Sequence, residues 1–234
     1  MITLIKEIPS LPVLSAPYIK ICCTAAAYAE YDKIALFWKQ TDDNKNVTAL
    51  MCLLDNCLTV YNGDADSDEL RGFINMLSPR IVFTDKATAN KLGLPISTLC
   101  DTLYRDPPFE FTDAAENTYE GINKAYETIT ERLYVGDKEA FFADMSHRVR
   151  HNCGTYVTTP LSAAFLLYCD EGSILSGIAV KEVRERSGIG SATLKRVMML
   201  SRNKRMYVCA EKKNTPFYLK NGFNTIEECG YCTL

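Results

Sequence analysis

Ile178-Ala179-Val180-Lys181-Glu182-Val183-Arg184-Glu185-Arg186-Ser187-Gly188-Ile189-Gly190-Ser191-Ala192 is the stretch whose reading decides the fold. An apolar run passes into a charged loop, two glycines follow, and a helical pattern begins at Ile189. Glycines at a strand-to-helix junction permit positive φ and let a ligand approach the backbone closely. The first N–H groups of a helix have no intrahelical partner, and the helix dipole adds positive character there. Together these features make a site for an anion. Arg184, Arg186 and Lys195 stand close enough in sequence to add charge. From Ile174 to Lys220 there are 11 basic residues, against Glu182, Glu185 and Glu211. A bias this one-sided occurs on ordinary solvated helix faces, and it also suits a polyanionic ligand such as a diphosphate.

Two familiar phosphate loops do not fit. A Walker loop needs Gly-Lys-Ser/Thr, and Gly190 is followed by Ser191-Ala192. A dinucleotide fingerprint wants a third Gly or Ala three residues beyond the second glycine, where Thr193 stands. The six positions Glu185-Arg186-Ser187-Gly188-Ile189-Gly190 instead resemble motif A of the GNAT acetyltransferases, Gln/Arg-x-x-Gly-x-Gly/Ala between a strand and a helix. Glu185 departs from that pattern, with Arg184 and Arg186 flanking it. About one helix and one strand later, Asn214-Thr215-Pro216-Phe217-Tyr218-Leu219-Lys220-Asn221-Gly222-Phe223 resembles the motif B region of the same family. Either motif alone is weak, since a lone Gly-x-Gly is common and Phe217-Tyr218 reads equally as a packing pair. Their order and spacing make the combination specific, and the resemblance covers roughly Leu133 to the C-terminus.

The resemblance implies an N-acetyltransferase that takes acetyl-coenzyme A (acetyl-CoA) as co-substrate and passes the acetyl group to a primary amine, without a metal. It implies cofactor contacts from Ile178, Ala179 and Val180 to pantetheine. Further cofactor contacts, around the diphosphate, would come from Glu185, Arg186, Ser187, Gly188, Ile189, Gly190 and Ser191, while Asn214 would contact coenzyme A and Tyr218 would lie near its sulfur. A backbone N–H at Ile178 or Ala179 would polarise the thioester carbonyl. Tyr218 would protonate the departing thiolate. A lysine-like amine, with pKa ~10.4, is less than ~0.1% neutral at pH 7, so a base helps. Glu182 and Tyr168 are candidates on or beside the central strands, and Glu227 or Glu228 could act through a water chain. Glu182 reads equally as a solvated loop residue. The rival readings are a non-catalytic coenzyme A-binding regulator and a transferase of a different acyl group.

Outward from the motifs, Lys138–Arg150 has helical spacing, and Thr155–Thr159, Ser162–Tyr168 and Ser173–Val180 read as strands. Ile189–Arg202 reads as a helix, Met206–Ala210 as a strand, Thr215–Lys220 as a short helix, and a final strand closes the chain. The upstream half echoes this order. Pro17–Tyr31 reads as a helix, followed by strands at Ile34–Gln40, Thr48–Leu54 and Cys57–Tyr61. Glu69–Leu77 then reads as a helix, Arg80–Phe83 as a strand and Ala87–Leu92 as a helix. The expected fold is α/β (α+β), with a mixed, mainly antiparallel central sheet flanked by helices. It is GNAT-like and organised as two tandem halves. Asp106-Pro107-Pro108 interrupts regular structure. We therefore divide the chain into a degenerate N-terminal GNAT-like domain (1–110), a helical linker (111–132, within Asp113–Leu133) and the acetyltransferase domain (133–234). In the N-terminal half the equivalent junction, Asn62-Gly63-Asp64-Ala65-Asp66-Ser67-Asp68-Glu69, lacks the second glycine, and its aspartates repel a diphosphate. That half is expected to bind no coenzyme A.

The chain has 234 residues, 47% hydrophobic and 24% charged, as ordinary globular proteins do. No apolar run reaches the roughly 18–20 residues needed to cross a bilayer, and Met1–Glu7 lacks the character of a signal peptide. A cytoplasmic protein is expected, without membrane or nucleic-acid partners, acting on a small-molecule or peptide amine; a homodimer is left open. The 10 cysteines sit mostly in apolar runs, where free cysteine behaves as a small hydrophobe. Cys229-Gly230-Tyr231-Cys232 has redox spacing, but no helix can follow it to lower a thiol pKa. His147 and His151 share a helix face, yet no third zinc ligand is evident.

Overall fold

A computed structural model describes residues 1–109, 118–133, 137–182 and 186–234. The chain forms two compact units, Met1–Tyr104 with Cys209–Leu234, and Arg105–Val208. No helix among the described residues is long and apolar enough to cross a membrane.

The first unit contains β1 (Ile2–Ile5), α1 (Ala16–Tyr28), β2 (Ala35–Thr41), β3 (Val47–Leu54), β4 (Cys57–Asn62), α2 (Ser67–Leu77), β5 (Ile81–Asp85), α3 (Lys86–Leu92) and β6 (Ile96–Arg105). From the end of the chain it takes α7 (Thr215–Lys220) and β11 (Asn224–Thr233). Its strand order is β1-β2-β3-β4-β5-β11-β6. Neighbours are antiparallel except β4 and β5, and β11 is antiparallel to both β5 and β6. Alternation along the strands splits the side chains between two faces. Leu58, Val60, Val82 and Cys232 pack with Leu70 and Ile74 of α2 and with Ala89 and Leu92 of α3. Phe83, Cys100, Cys229 and Tyr231 gather on the other face, where α1 brings Lys20 over the Phe83 ring.

The second unit contains α4 (Tyr119–Thr130), α5 (Lys138–Arg150), β7 (Gly154–Thr158), β8 (Ser162–Tyr168), β9 (Ser173–Val180) and α6 (Ile189–Met199). From it β10 (Met206–Glu211) leads the chain back into the first unit. Its order is β10-β9-β8-β7, antiparallel except for the parallel pair β9 and β10. Ile122, Ala125 and Ile129 of α4 and Phe142 and Met145 of α5 cover Ala163, Phe165 and Ala179 on one face. On the opposite face the Ser162 and Thr193 hydroxyls of β8 and α6 meet at 2.7 Å.

The expected fold class is the observed one, and the sequence helix, three antiparallel strands, helix, parallel strand, helix occurs twice. Two strands, β1 and β6, did not register as strands in the sequence. The four-residue β1 is held by the Met1 ammonium and the Ile2 N–H, both bound to Glu69. Such tertiary contacts leave no local pattern. β6 interleaves Thr98, Asp101 and Thr102 with apolar residues, and its pairing with β11 is set 120 or more residues away along the chain. The segment expected as a linker contributes α4, whose Ile122, Ala125 and Ile129 are core residues of the second unit.

Candidate functional site

Of the strands that could position a ligand, β9 is the most unusual. It pairs with β10 in parallel only where Ser173, Ile174 and Leu175 face Met206, Tyr207 and Val208. At the same point its register with β8 shifts. Phe165 faces Gly177 while Leu166 faces Leu175, so Ser176 is the extra residue of a bulge. A bulge bends its strand and increases the local twist. Ser176–Val180 thus run past the parallel ladder, offering backbone N–H and C=O groups along that edge. Ala179 points into the core beneath α4 and α5, whereas Ile178 and Val180 are half-buried on the α6 side.

Beyond β9 the chain turns into α6. Arg186 and Gly188 both adopt positive φ, 59° and 86°, and Gly188 is the N-cap. At that position only glycine is free of strain, and it contributes no capping side chain. The first-turn residues Ile189, Gly190 and Ser191 are half-buried, while Arg186, Ser187 and Gly188 are exposed. Thr193 Oγ1 donates to Ile189 O at 2.9 Å and fixes the first turn against β8 through Ser162. A cavity of about 310 Å³ opens beside this turn, between Pro160 and Leu161 on one side and Ile189 and Arg196 on the other. Glu185, predicted as a cofactor contact, and its neighbour Arg184 lie outside the described residues.

The matching junction of the first unit is built oppositely. Asp66 caps α2, its carboxylate accepting from the N–H groups of Asp68 and Glu69 at 3.0 and 3.1 Å. Those two bonds hold its carboxyl below the usual carboxylate range. The α2 N–H groups are therefore engaged by an anion of the chain itself. The parallel pair β4 and β5 also covers three residues each, but Thr84 Oγ1 then donates to Val60 O at 2.8 Å, a buried bond across the parting strands. Among the described residues, neither feature recurs at β9 and α6.

The remaining predicted residues are distributed as follows. Glu182 is exposed. Tyr168 is buried, with Arg202 stacked on its ring at 4.1 Å and bonded to its hydroxyl at 3.2 Å. Burial raises its pKa, which keeps the phenol protonated at neutral pH and so unable to take up the amine proton. Asn214 and Tyr218 belong to the first unit, Asn214 as the exposed N-cap of α7 and Tyr218 buried on that helix. Tyr218 packs edge-on against Phe217 and Phe223, and burial pushes its phenol pKa up. In the same unit Asp85, Lys86, Asn90, Glu227 and Glu228 line a cavity of about 330 Å³. Burial and the neighbouring Asp85 raise the Glu227 carboxyl to about 7, although it accepts from Ala16 N–H at 3.3 Å. Glu228 lies between Lys86 and Lys212, whose bonds pull it down to about 2. His147 and His151 stack at 4.2 Å near the end of α5, and no group of three metal-ligating side chains occurs among the described residues.

No family model matches the chain, and no curated protein matches it by sequence. Solved structures do match. A GCN5-related N-acetyltransferase from Kribbella flavida superposes with a TM-score of 0.60 at 11% identity, over 91% of this chain and 95% of that one. A tandem GNAT protein from the clavulanic acid biosynthesis pathway matches with a TM-score of 0.53 at 9% identity, over 90% and 87% of the two chains. A GCN5-related N-acetyltransferase from Sphaerobacter thermophilus gives 0.52 at 11% identity, over 83% and 79%. The chain has the GNAT fold.

Proposed function

We propose that this GNAT-fold chain is an acyl-coenzyme A-dependent N-acyltransferase, with acetyl-CoA as donor and a primary amine as acceptor. The observation that carries the reading is the bulged, diverging end of β9 leading into an α6 whose N-cap is Gly188, a residue with no side chain to cap the first turn. Pantetheine would add along Ser176–Val180 by backbone hydrogen bonds, as an extended peptide adds to a sheet edge. The diphosphate would take the N–H groups of Ile189, Gly190 and Ser191, with Arg186 beside them.

Attack by the neutral amine nitrogen on the thioester carbonyl forms a tetrahedral oxyanion, which the N–H of Ile178 or Ala179 would stabilise. Collapse expels the thiolate. A free thiol has a pKa of ~8.5, so this leaving group is already fair and proton donation adds only modestly. The resemblance gives that proton to Tyr218, which burial keeps in its neutral form. Glu227, a candidate base acting through a water chain, has a carboxyl raised by burial and by Asp85 to about 7, a proton affinity that suits pH 7.

The test is a panel of primary amines incubated with acetyl-CoA, products read by mass. A gain of one acetyl group on any amine supports the reading. Coenzyme A binding without acyl transfer from acetyl-CoA or longer acyl thioesters would favour a regulator, and absence of binding would remove the proposal altogether.

A further inference from the structure

In the first unit, β11 places Cys229 directly opposite Cys100 on antiparallel β6. Directly opposed residues share a face, with Cα atoms about 4.5–5.5 Å apart, inside the roughly 4.4–6.8 Å that a disulfide spans. Both residues are buried, and both thiols are free. Cys232, the other half of the C-x-x-C pattern, is three positions on and therefore on the opposite face. It packs in the α2 and α3 core and cannot meet Cys229.

The surroundings make the two opposed thiols unequal. The neighbouring Cys209 holds Cys229 below the ordinary thiol value, against the cost of burial. Thr102 acts in the same sense; its buried hydroxyl has no hydrogen-bond partner of standard geometry among the described residues. Lys20 adds positive charge, its ammonium 4.4 Å from the Phe83 ring centre and 5.3 Å from that of Tyr231. Glu227 opposes these effects. Cys100, by contrast, is raised to about 11 by burial and by Cys229 itself. The thiolate is the reacting form, so Cys229 is the sulfur disposed to attack and Cys100 the one disposed to follow. Cys57 and Cys209, packed against the same cluster, are only partly buried.

We propose that Cys229 and Cys100 form a reversible oxidation site, at which a peroxide converts Cys229 to a sulfenic acid and Cys100 resolves it to a disulfide tying β11 to β6. In the first step the Cys229 sulfur bonds to one peroxide oxygen, the O–O bond breaks, and the released hydroxide gains a proton to leave as water. In the second the Cys100 sulfur bonds to the Cys229 sulfur, the S–O bond breaks, and hydroxide leaves as water with the Cys100 proton. Two thiols and one hydrogen peroxide give one disulfide and two waters: sulfur is oxidised and peroxide oxygen reduced. This site is independent of acyl transfer.

The test treats the native full chain with hydrogen peroxide, blocks remaining thiols with N-ethylmaleimide in denaturant, and analyses a non-reducing tryptic digest. The expected product is peptide 92–105 joined to peptide 221–234 with the loss of two hydrogens, the bridge assigned to Cys229 by fragmentation and reversed by dithiothreitol. Cys100→Ser should stop at a Cys229 sulfenic acid that dimedone captures, and Cys232→Ser should keep the bridge. Should Cys100→Ser fail to fold, the bridged peptide in wild type and in Cys232→Ser decides the matter. A Cys229 thiol that survives while other cysteines are consumed, or a bridge from Cys229 to Cys209 or Cys232, overturns the proposal.

Discussion

Replacing Ser191 by Asp should strengthen α6 and weaken its ligand at once. With Gly188 as N-cap, Ser191 is the third residue of the first turn and is half-buried. A carboxylate there faces the positive end of the helix dipole, which contributes about 0.3–1 kcal/mol to helix stability. The same carboxylate would lie about 6 Å from a bound diphosphate. Each like-charge pair at that distance costs about 0.7 kcal/mol in a water-like medium and a few times more at a partly dry surface. Two such pairs give roughly 1.5–4 kcal/mol, or about tenfold to several hundredfold in Kd. Calorimetric titration with coenzyme A at low salt measures the second effect, and thermal unfolding of the unliganded protein measures the first. Ser191→Asn, equal in shape and uncharged, should retain most of the affinity. An aspartate variant that binds coenzyme A within threefold of wild type would show that the diphosphate is not held at this turn, and the cofactor assignment would fall with it.

Other outcomes follow from the same geometry. Calorimetry should find one coenzyme A per chain, because Asp66 and Thr84 fill the equivalent places of the first unit; two sites would contradict that account. Tyr218→Phe should lower turnover several-fold with nearly unchanged coenzyme A affinity, and equal turnover in the two proteins excludes the phenol as proton donor. Glu227 holds its proton more tightly folded than unfolded, so its ionisation costs stability as pH rises from about 4.5 to about 7, and the full cost persists above that. The shift corresponds to about 3 kcal/mol, which partial exposure reduces to roughly 1–2 kcal/mol. Glu227→Gln should therefore gain on wild type between pH 5 and pH 8 in urea denaturation, and parallel curves would refute the assignment. A Cβ at Gly121 would stand 2.0 Å from the Tyr156 hydroxyl, which bonds both the N–H and the C=O of Thr118 at the start of α4. Gly121→Ala should cost about 1–3 kcal/mol by overpacking, read from the denaturation midpoint, and an unchanged midpoint would mean that this contact is loose.

What could be read in the chain before its structure was known divides by the range of the interaction. The Gly188 turn, the α6 start and the Asp66 cap are local, each encoded within a few residues, and each lies where glycine and capping chemistry place it. The bulge at Ser176 is not local, since it exists only as a mismatch between β8 and β9, and neither strand alone signals it. The Thr84 bond to Val60 spans 24 residues and closes a gap that only the pairing of β4 with β5 creates. Cys229-Gly230-Tyr231-Cys232 shows the same division in miniature. Its spacing suggested a redox pair, yet strand geometry sends the two sulfurs to opposite faces. The partner that pairing supplies for Cys229 is Cys100, 129 residues earlier. Glu227 likewise owes its raised pKa to burial and then to Asp85, far back along the chain on β5, and both come together only because the last strand is inserted between β5 and β6. In this protein, local sequence places the groups that would touch a ligand, and strand pairing decides which titratable groups meet. Of the assignments made above, those at α6 need only the first kind of information, whereas those at Cys229 and Glu227 stand or fall with the position of β11.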